Sequence, residues 1–462
     1  MSLVLFGCRV SAKPTWLYKG IPGAEHVVEL DESALEEVIR AGRLRADGNA
    51  AVDTAWVVAF YAPWCGHCQH FAPTWAKVGR ELDARRARAA ALNCVEFPSS
   101  CTRHRIRSYP TLIAFHMADL PASTQPLGHV IKMGRGFDLK RWIEQHASLE
   151  GPAVAAAAED TSALAHRARR AAPAPAASAA DAIASVRFLL RHGVFAGREL
   201  LGPDEYAALR DWLALLGVAA PGPQSSRDAI QRLLARVVTA TRDGRSLSGL
   251  NGSTWVRILD DGVLEPAADR SPPLPAWTWT AACAVANGDD GFTCGLWTLL
   301  HALTFSAPAA GISPRATAAA IRGFVAHFFA CADCRDNFLA MYDNCDYGRC
   351  DFAGGDEAQL ASLDPAQLHG ARTPRPAHEQ RQLVLWLWRA HNDVNVRLAK
   401  ENALETGAWE WPSLALCVAC IAPTWEEDRV FDYLASAYEG RALRGQRPRI
   451  RDPRFQRSAR DS

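Results

Sequence analysis

An apolar run, Trp56-Val57-Val58-Ala59-Phe60-Tyr61, ends in Pro63-Trp64-Cys65-Gly66-His67-Cys68. A short apolar run bounded by a turn residue reads as a buried strand. It delivers a Cys-x-x-Cys to the start of a helix, where two sulfurs can cycle between dithiol and disulfide. A second Cys-x-x-Cys, Cys331 and Cys334, lies far downstream in a helical context. Two such pairs in one chain suggest an electron relay.

The thiolate is the reactive form of cysteine, and a helix N-terminus lowers a cysteine pKa through its unpaired N–H groups. Cys65 is expected to be exposed and to form the mixed disulfide, and Cys68 to resolve it. His67 between them can stabilise the Cys65 thiolate, which makes the disulfide more oxidising. The bland alternatives are a stapling disulfide or half a zinc site. Zinc needs four ligands, and no partner Cys-x-x-Cys lies within the usual spacing. Downstream, Ser108-Tyr109-Pro110-Thr111 precedes another apolar run, Leu112 to Phe115, and a cis Tyr109–Pro110 bond suits that position.

These residues resemble the thioredoxin fold across roughly 25–146, and Ala62-Pro63-Trp64-Cys65-Gly66-His67-Cys68 is similar to the active site of protein disulfide isomerases. The resemblance implies a buried Glu or Asp six residues before the first cysteine, relaying protons to the resolving thiol. This chain has Ala59 there.

At 462 residues the chain exceeds a single core. Its formal net charge of +1 gives no global pull toward nucleic acid or an anionic membrane. No eighteen-residue apolar stretch predicts a transmembrane helix. The thirteen cysteines fall mostly in near-neighbour pairs. Spacing pairs Cys65/Cys68, Cys94/Cys101, Cys283/Cys294, Cys331/Cys334, Cys345/Cys350 and Cys417/Cys420, leaving Cys8. Residues 1–12, apolar from Leu3 to Phe6 and ending Val10-Ser11-Ala12, read as a leader whose removal would take Cys8 with it. Even pairing of the rest points to an oxidising compartment, the secretory pathway or outside the cell.

The expected organisation is a leader (1–12), a thioredoxin-like α/β domain (13–150), an Ala/Pro-rich linker (151–180), a helical module without cysteine (181–265), a second helical domain (266–440) and a basic, solvated tail (441–462). The second helical domain holds eight of the thirteen cysteines. In it Trp297 and His301 are four residues apart and share a helix face, and His391 and Asn395 repeat that spacing. A Trp, two His and two Asn, including Asn392, facing inward from two helices could stack on and hydrogen-bond a planar heterocycle. Taken singly, each His and Asn reads better as an ordinary core or capping residue. Cys331/Cys334 and Cys417/Cys420 are separated too widely for a common zinc site, and no metal is expected.

In order and spacing, Cys294-Gly295-Leu296-Trp297 with His301, Cys331-Ala332-Asp333-Cys334, His391-Asn392-Asp393-Val394-Asn395 with Leu398, Trp411-Pro412 and Cys417-Val418-Ala419-Cys420 resemble the FAD-dependent sulfhydryl oxidases of the Erv type. With the upstream thioredoxin-like unit, the whole is similar to the quiescin sulfhydryl oxidase family, in its form with one thioredoxin domain. The resemblance implies a four- to five-helix FAD cradle, with 181–265 a degenerate copy of the oxidase fold. It implies FAD contacts at Trp297, His301, His391, Asn392, Val394, Asn395, Leu398, Lys400 and Trp411. Cys334 would lie against the flavin and Cys331 would face the incoming thiol. Cys283/Cys294 and Cys417/Cys420 would be structural, and Cys345/Cys350 a local disulfide outside the motif set. The implied reaction takes electrons from reduced protein dithiols through Cys65/Cys68, Cys331/Cys334 and FAD to oxygen, making hydrogen peroxide. The rival reading is a disulfide-isomerase-like chaperone whose helical half binds clients without a cofactor.

Overall fold

The computed structural model describes residues 16–18, 21–41, 55–63, 65–83, 87–117, 128–132, 139–146, 179–242, 250–261, 279–280, 283, 291–364, 368, 372–401, 410–413, 416–421 and 424–439. The leader, Cys8, Trp64, the side chain of His67, residues 151–178 of the linker, the proline-rich boundary 262–276 and the tail 441–462 lie outside the described residues. The chain divides into two compact units. One is built around residues 1–157, and the other takes in nearly all of 158–462.

In the first unit the strands are β1 (Val27–Leu30), β2 (Ala55–Tyr61), β3 (Ala87–Asn93), β4 (Thr111–Phe115) and β5 (His129–Ile131). They form one sheet in the order β1-β3-β2-β4-β5. The first three run parallel, while β4 is antiparallel to β2 and β5 to β4. The helices are α1 (Glu32–Ala41), α2 (Gly66–Asp83), α3 (Pro98–Arg103) and α4 (Leu139–His146). Central β2 is buried along its whole length, which its unbroken apolar run requires of a strand covered on both faces. Neighbouring β3 is alanine-rich, and α2 closes on it, with Trp75 Nε1 donating to the Ala90 carbonyl at 3.2 Å. Sheet topology and helices are those of a thioredoxin fold, with Cys65 and Cys68 at the head of α2.

The second unit is helical among its described residues: α5 (Ala179–His192), α6 (Pro203–Ala219), α7 (Gln224–Arg242), α8 (Gly252–Asp260), α9 (Gly291–Ala309), α10 (Pro314–Phe328), α11 (Ala332–Asp343), α12 (Ala377–Glu401) and α13 (Glu427–Tyr438). Ser313 caps α10 by accepting from Ala316 N–H, and Pro314 follows at the first helical position.

The helices expected as a separate module, α5 to α8, pack against the later ones. Helix α5 lies along α9, and α6 along α10. The α5–α9 approach depends on Gly295, since a Cβ there would sit 2.2 Å from Ser185 Oγ and 2.4 Å from the Asp181 carbonyl. Ser185 accepts from Trp279 Nε1 at 3.0 Å and donates to the Phe292 carbonyl at 3.1 Å. Asp181, fully buried, accepts from both the backbone N–H and the hydroxyl of Thr280. These bonds satisfy polar groups that burial would otherwise leave at a cost of about 1–3 kcal/mol each. At the other end of α9, Phe305, Val384, Leu385, Trp388, Val430 and Leu434 form a core that also encloses Cys420.

Candidate functional site

The first candidate site is the dithiol at the head of α2. Cys65 and Cys68 are not joined in a disulfide and stand as a dithiol. Cys65 sits just before the helix, where its carbonyl accepts the Gln69 N–H at 3.0 Å. The expectation that Cys65 is exposed is corrected: it is 3% exposed. The reason is the Tyr109–Pro110 turn, 44 residues on, whose peptide bond is cis as expected. The Tyr109 carbonyl lies over the sulfur and accepts from the Cys65 thiol at 3.5 Å.

Burial pushes the Cys68 thiol well above its ordinary value, and the adjacent Cys65 sulfur pushes it further the same way. Ala59 is fully buried between Ala91 on β3 and Leu112 on β4, so this position holds no carboxylate. The groups that feel the charge of Cys68 include three phenols, Tyr18, Tyr61 and Tyr109. All three are held neutral, chiefly by burial. Tyr18 and Tyr61 meet edge to face at 5.6 Å. A neutral phenol in this setting is a proton donor rather than a base.

The second candidate site is in the helical unit. Cys331 and Cys334 form a disulfide at the start of α11. Cys331 is the N-cap, its sulfur accepting the Cys334 N–H at 3.2 Å. Cys331 is buried and Cys334 half-buried. The body of α11 packs on Trp386 of α12 through Phe338 and Tyr342. Five residues beyond Trp386, about 7.5 Å along the helix, stands His391.

His391 stacks on Trp297 of α9 at 3.9 Å with planes 8° apart. His301, one helical turn after Trp297, brings Nε2 within 3.0 Å of His391 Nδ1. The Trp411 ring lies 4.9 Å from His301 and 5.3 Å from His391. Trp297 and His301 of α9 therefore meet His391 of α12, while Asn395 lies half-buried one turn further along α12. Burial lowers both histidines, His391 to about 3, and the neighbouring His391 ring lowers His301 further. Both rings are therefore neutral at pH 7, one donating to the other.

Asn392 spends its amide on the backbone of Trp411, donating to its carbonyl at 2.6 Å and accepting its N–H at 2.7 Å. It fixes the position of Trp411, helped by Trp388 Nε1, which donates to the same carbonyl at 2.8 Å. Val394, Asn395 and Leu398 are half-buried along α12, and Lys400 is exposed near its end.

Tyr438, not singled out by sequence, closes the cluster: its ring stacks on His301 at 5.2 Å. The remaining cysteine pairings predicted by spacing, Cys94–Cys101, Cys283–Cys294, Cys345–Cys350 and Cys417–Cys420, are all formed.

Comparison with known proteins bears on both units. The Thioredoxin family matches residues 47–127, and the Erv1 / Alr family matches residues 294–360. The chain joins a thioredoxin domain to an Erv domain and is similar to the sulfhydryl oxidases. Sulfhydryl oxidase 1 of Oryza sativa subsp. japonica is 24% identical over 468 residues, covering 94% of this chain and 83% of that one. Sulfhydryl oxidase 1 of Homo sapiens is 22% identical over 517 residues, covering 83% of this chain and 64% of that one. Among solved structures, the sulfhydryl oxidase fragment of human QSOX1 covers 57% of this chain and 96% of its own, at 24% identity and a TM-score of 0.40. The chain thus spans most of the rice relative and a little under two thirds of the human one.

The Erv domain carries one mark of a missing partner. Among the described residues His301 Nδ1 is buried and makes no hydrogen bond, in a ring whose other nitrogen is used. Leaving such a nitrogen without a partner costs free energy, and a hydrogen-bonding group set against it would remove that cost. A cluster of aromatic and imidazole rings around that nitrogen fits a planar, hydrogen-bonding cofactor.

Proposed function

We propose that this protein is an FAD-linked sulfhydryl oxidase. It takes the electron pair of a client dithiol at Cys65–Cys68, passes it to Cys331–Cys334 and delivers it to oxygen as hydrogen peroxide. The observation that carries this reading is a dithiol heading α2 and a disulfide heading α11 in one chain, the latter in the domain whose rings surround the unpartnered His301 Nδ1.

Trp297, His301, His391, Asn395, Val394, Leu398, Lys400 and Trp411 would hold the cofactor, with Asn392 fixing Trp411. FAD, when bound, supplies a two-electron acceptor that oxygen can reoxidise, chemistry that no side chain offers.

The chain's own steps are thiol–disulfide exchanges. With Cys65–Cys68 oxidised, a client thiolate attacks Cys65 and Cys68 leaves. The second client thiol then displaces Cys65, and the client departs as a disulfide, poorer by two electrons and two protons. The Cys65 thiolate next attacks Cys331, breaking its bond to Cys334, and Cys68 resolves the mixed disulfide. Cys331 and Cys334 are left reduced at the N-terminus of α11, where unpaired N–H groups stabilise a thiolate. The raised Cys68 thiol keeps its proton until it attacks Cys65 to displace Cys331, so resolution is the step that demands a base. Formed disulfides at five sites suit an oxidising compartment, and we place the protein in the secretory pathway or outside the cell.

The test is Cys65→Ser with two substrates, a reduced unfolded protein and dithiothreitol, followed by oxygen uptake. Oxidation of the protein substrate is expected to stop while slow oxidation of dithiothreitol persists through Cys331–Cys334. Loss of both activities in a protein that keeps its flavin would sink the two-centre relay.

A further inference from the structure

Between α11 and the start of the next helical turn, the chain reverses through Cys345 and Tyr347, both with φ near +60°. Side-chain-bearing residues rarely adopt that left-handed region, and two within three positions hold only where the surroundings fix them. One fixing element is the Cys345–Cys350 disulfide. Neither family match nor the relay above gives it a role.

The two sulfurs are placed differently. Cys350 is exposed and Cys345 half-buried. Arg349 Nη2 donates to Cys345 Sγ at 3.3 Å. The guanidinium is fixed on three other sides: Nε donates to the Tyr342 carbonyl at 2.9 Å, Nη1 lies 3.6 Å from Glu357, and the group rests 4.2 Å over the Tyr342 ring. A cation held against one sulfur of a disulfide lowers that thiol's pKa and makes it the better leaving group. An open approach to the other sulfur selects the point of attack.

We infer that Cys345–Cys350 is a further thiol-exchange site, opened by dithiols that attack Cys350 and expel Cys345 as a thiolate beside Arg349. The attacking thiolate forms a mixed disulfide with Cys350, and the Cys345–Cys350 bond breaks. The second thiol of the attacker then displaces Cys350. The attacker leaves as a disulfide, two electrons poorer, and Cys345 and Cys350 are left as thiols carrying its two protons. The chemistry is independent of the flavin; only the identification of the attacker with the enzyme's own substrate class rests on the proposed function.

Opening this bond has somewhere to act. The Tyr347 hydroxyl hydrogen-bonds Asp393, and Arg389 and Gln382 reach the Tyr347 and Asp351 carbonyls at 3.5 Å. Those three partners lie on α12, and Asp393 stands between Asn392 and Val394. Substrate dithiols thereby reach a loop seated on the helix that carries His391.

The test treats the holoenzyme with dithiothreitol in the absence of oxygen, quenches at intervals with N-ethylmaleimide, and quantifies each labelled cysteine by peptide mass spectrometry. Cys345 and Cys350 are expected to label at least roughly tenfold sooner than Cys94/Cys101, Cys283/Cys294 and Cys417/Cys420, whose pairs each bury a sulfur. Arg349→Gln should slow the opening by roughly tenfold at unchanged flavin content, and Arg349→Lys should restore most of the rate. A pair that stays closed until the buried disulfides open overturns the proposal, as does Arg349→Gln opening at the wild-type rate. If Arg349→Gln does not fold, the wild-type order of labelling and Arg349→Lys decide the matter. The flavin spectrum of the same samples separates the two readings. Opening without bleaching contradicts the oxidase and leaves the exchange site standing, and bleaching without opening does the reverse.

Discussion

His301 Nε2 and His391 Nδ1 lie 3.0 Å apart, each ring burial-lowered, so the contact exists only while at least one nitrogen is unprotonated. Both folded pKa values lie below the unfolded value near 6.5. The unfolded chain therefore binds protons first as pH falls. The pair's contribution is complete above about pH 6.5 and is lost as pH falls toward about 3, where folded His391 titrates. The upper limit is about 1.4 kcal/mol per ring per pH unit, less for His391, which is not fully buried. Denaturant midpoints are expected to drop between pH 7 and 5, and His391→Gln should flatten that slope. An unchanged slope would contradict the neutral pair.

Asn392 holds Trp411 by two bonds. Asn392→Ala removes both and leaves the Trp411 N–H without its partner and the carbonyl with Trp388 alone, at a cost of roughly 1–3 kcal/mol. The expected outcome is weaker flavin retention, measured as cofactor lost on gel filtration, with the thioredoxin domain's thiol reactivity unchanged. Asn392→Asp, which still accepts the Trp411 N–H, should lose less.

Gly295 lets α5 and α9 touch. Gly295→Val forces the helices apart and is expected to destabilise the helical unit by about 1–3 kcal/mol or more. Flavin release and melting of α5 to α8 should then occur together in a thermal scan. Separate transitions would mean that α5 to α8 fold independently of the Erv domain.

Cys334→Ser should keep its flavin yet no longer bleach with dithiothreitol under anaerobic conditions. Reduction at the wild-type rate would assign the cofactor-facing sulfur to another residue.

Position 59, a buried alanine, offers Cys68 no carboxylate. Ala59→Glu supplies a base and should speed resolution of a mixed disulfide at Cys65, most visibly below pH 7. It should also cost stability, because a carboxyl without a hydrogen-bond partner is being buried. Stopped-flow rates against pH, beside denaturant midpoints, measure both effects.

Much of this was legible in sequence because it is local. An apolar run feeding Cys65-Gly66-His67-Cys68 specifies strand, turn and helix within fifteen residues. Trp297/His301 and His391/Asn395 announce their shared faces through helical spacing. Contacts made by distant chain were not legible. The burial of Cys65 depends on the Tyr109 carbonyl, and Tyr438 reaches His301 from a helix more than a hundred residues on. Periodicity gave α5 an apolar face but no partner for it, so its docking on α9 through Gly295 and Ser185 had no signal beyond a glycine inside a helix. Asn392 carried a motif resemblance, while its use of the Trp411 backbone rests on a chain reversal that spacing does not encode.

The most direct measurement is the visible absorption spectrum of the purified protein, before and after anaerobic addition of a reduced dithiol. The account predicts a bound-flavin spectrum that bleaches on addition and returns with oxygen, accompanied by hydrogen peroxide. A colourless protein that takes up no FAD on reconstitution would contradict it and leave the helical unit a binding module beside an isomerase-like thioredoxin domain.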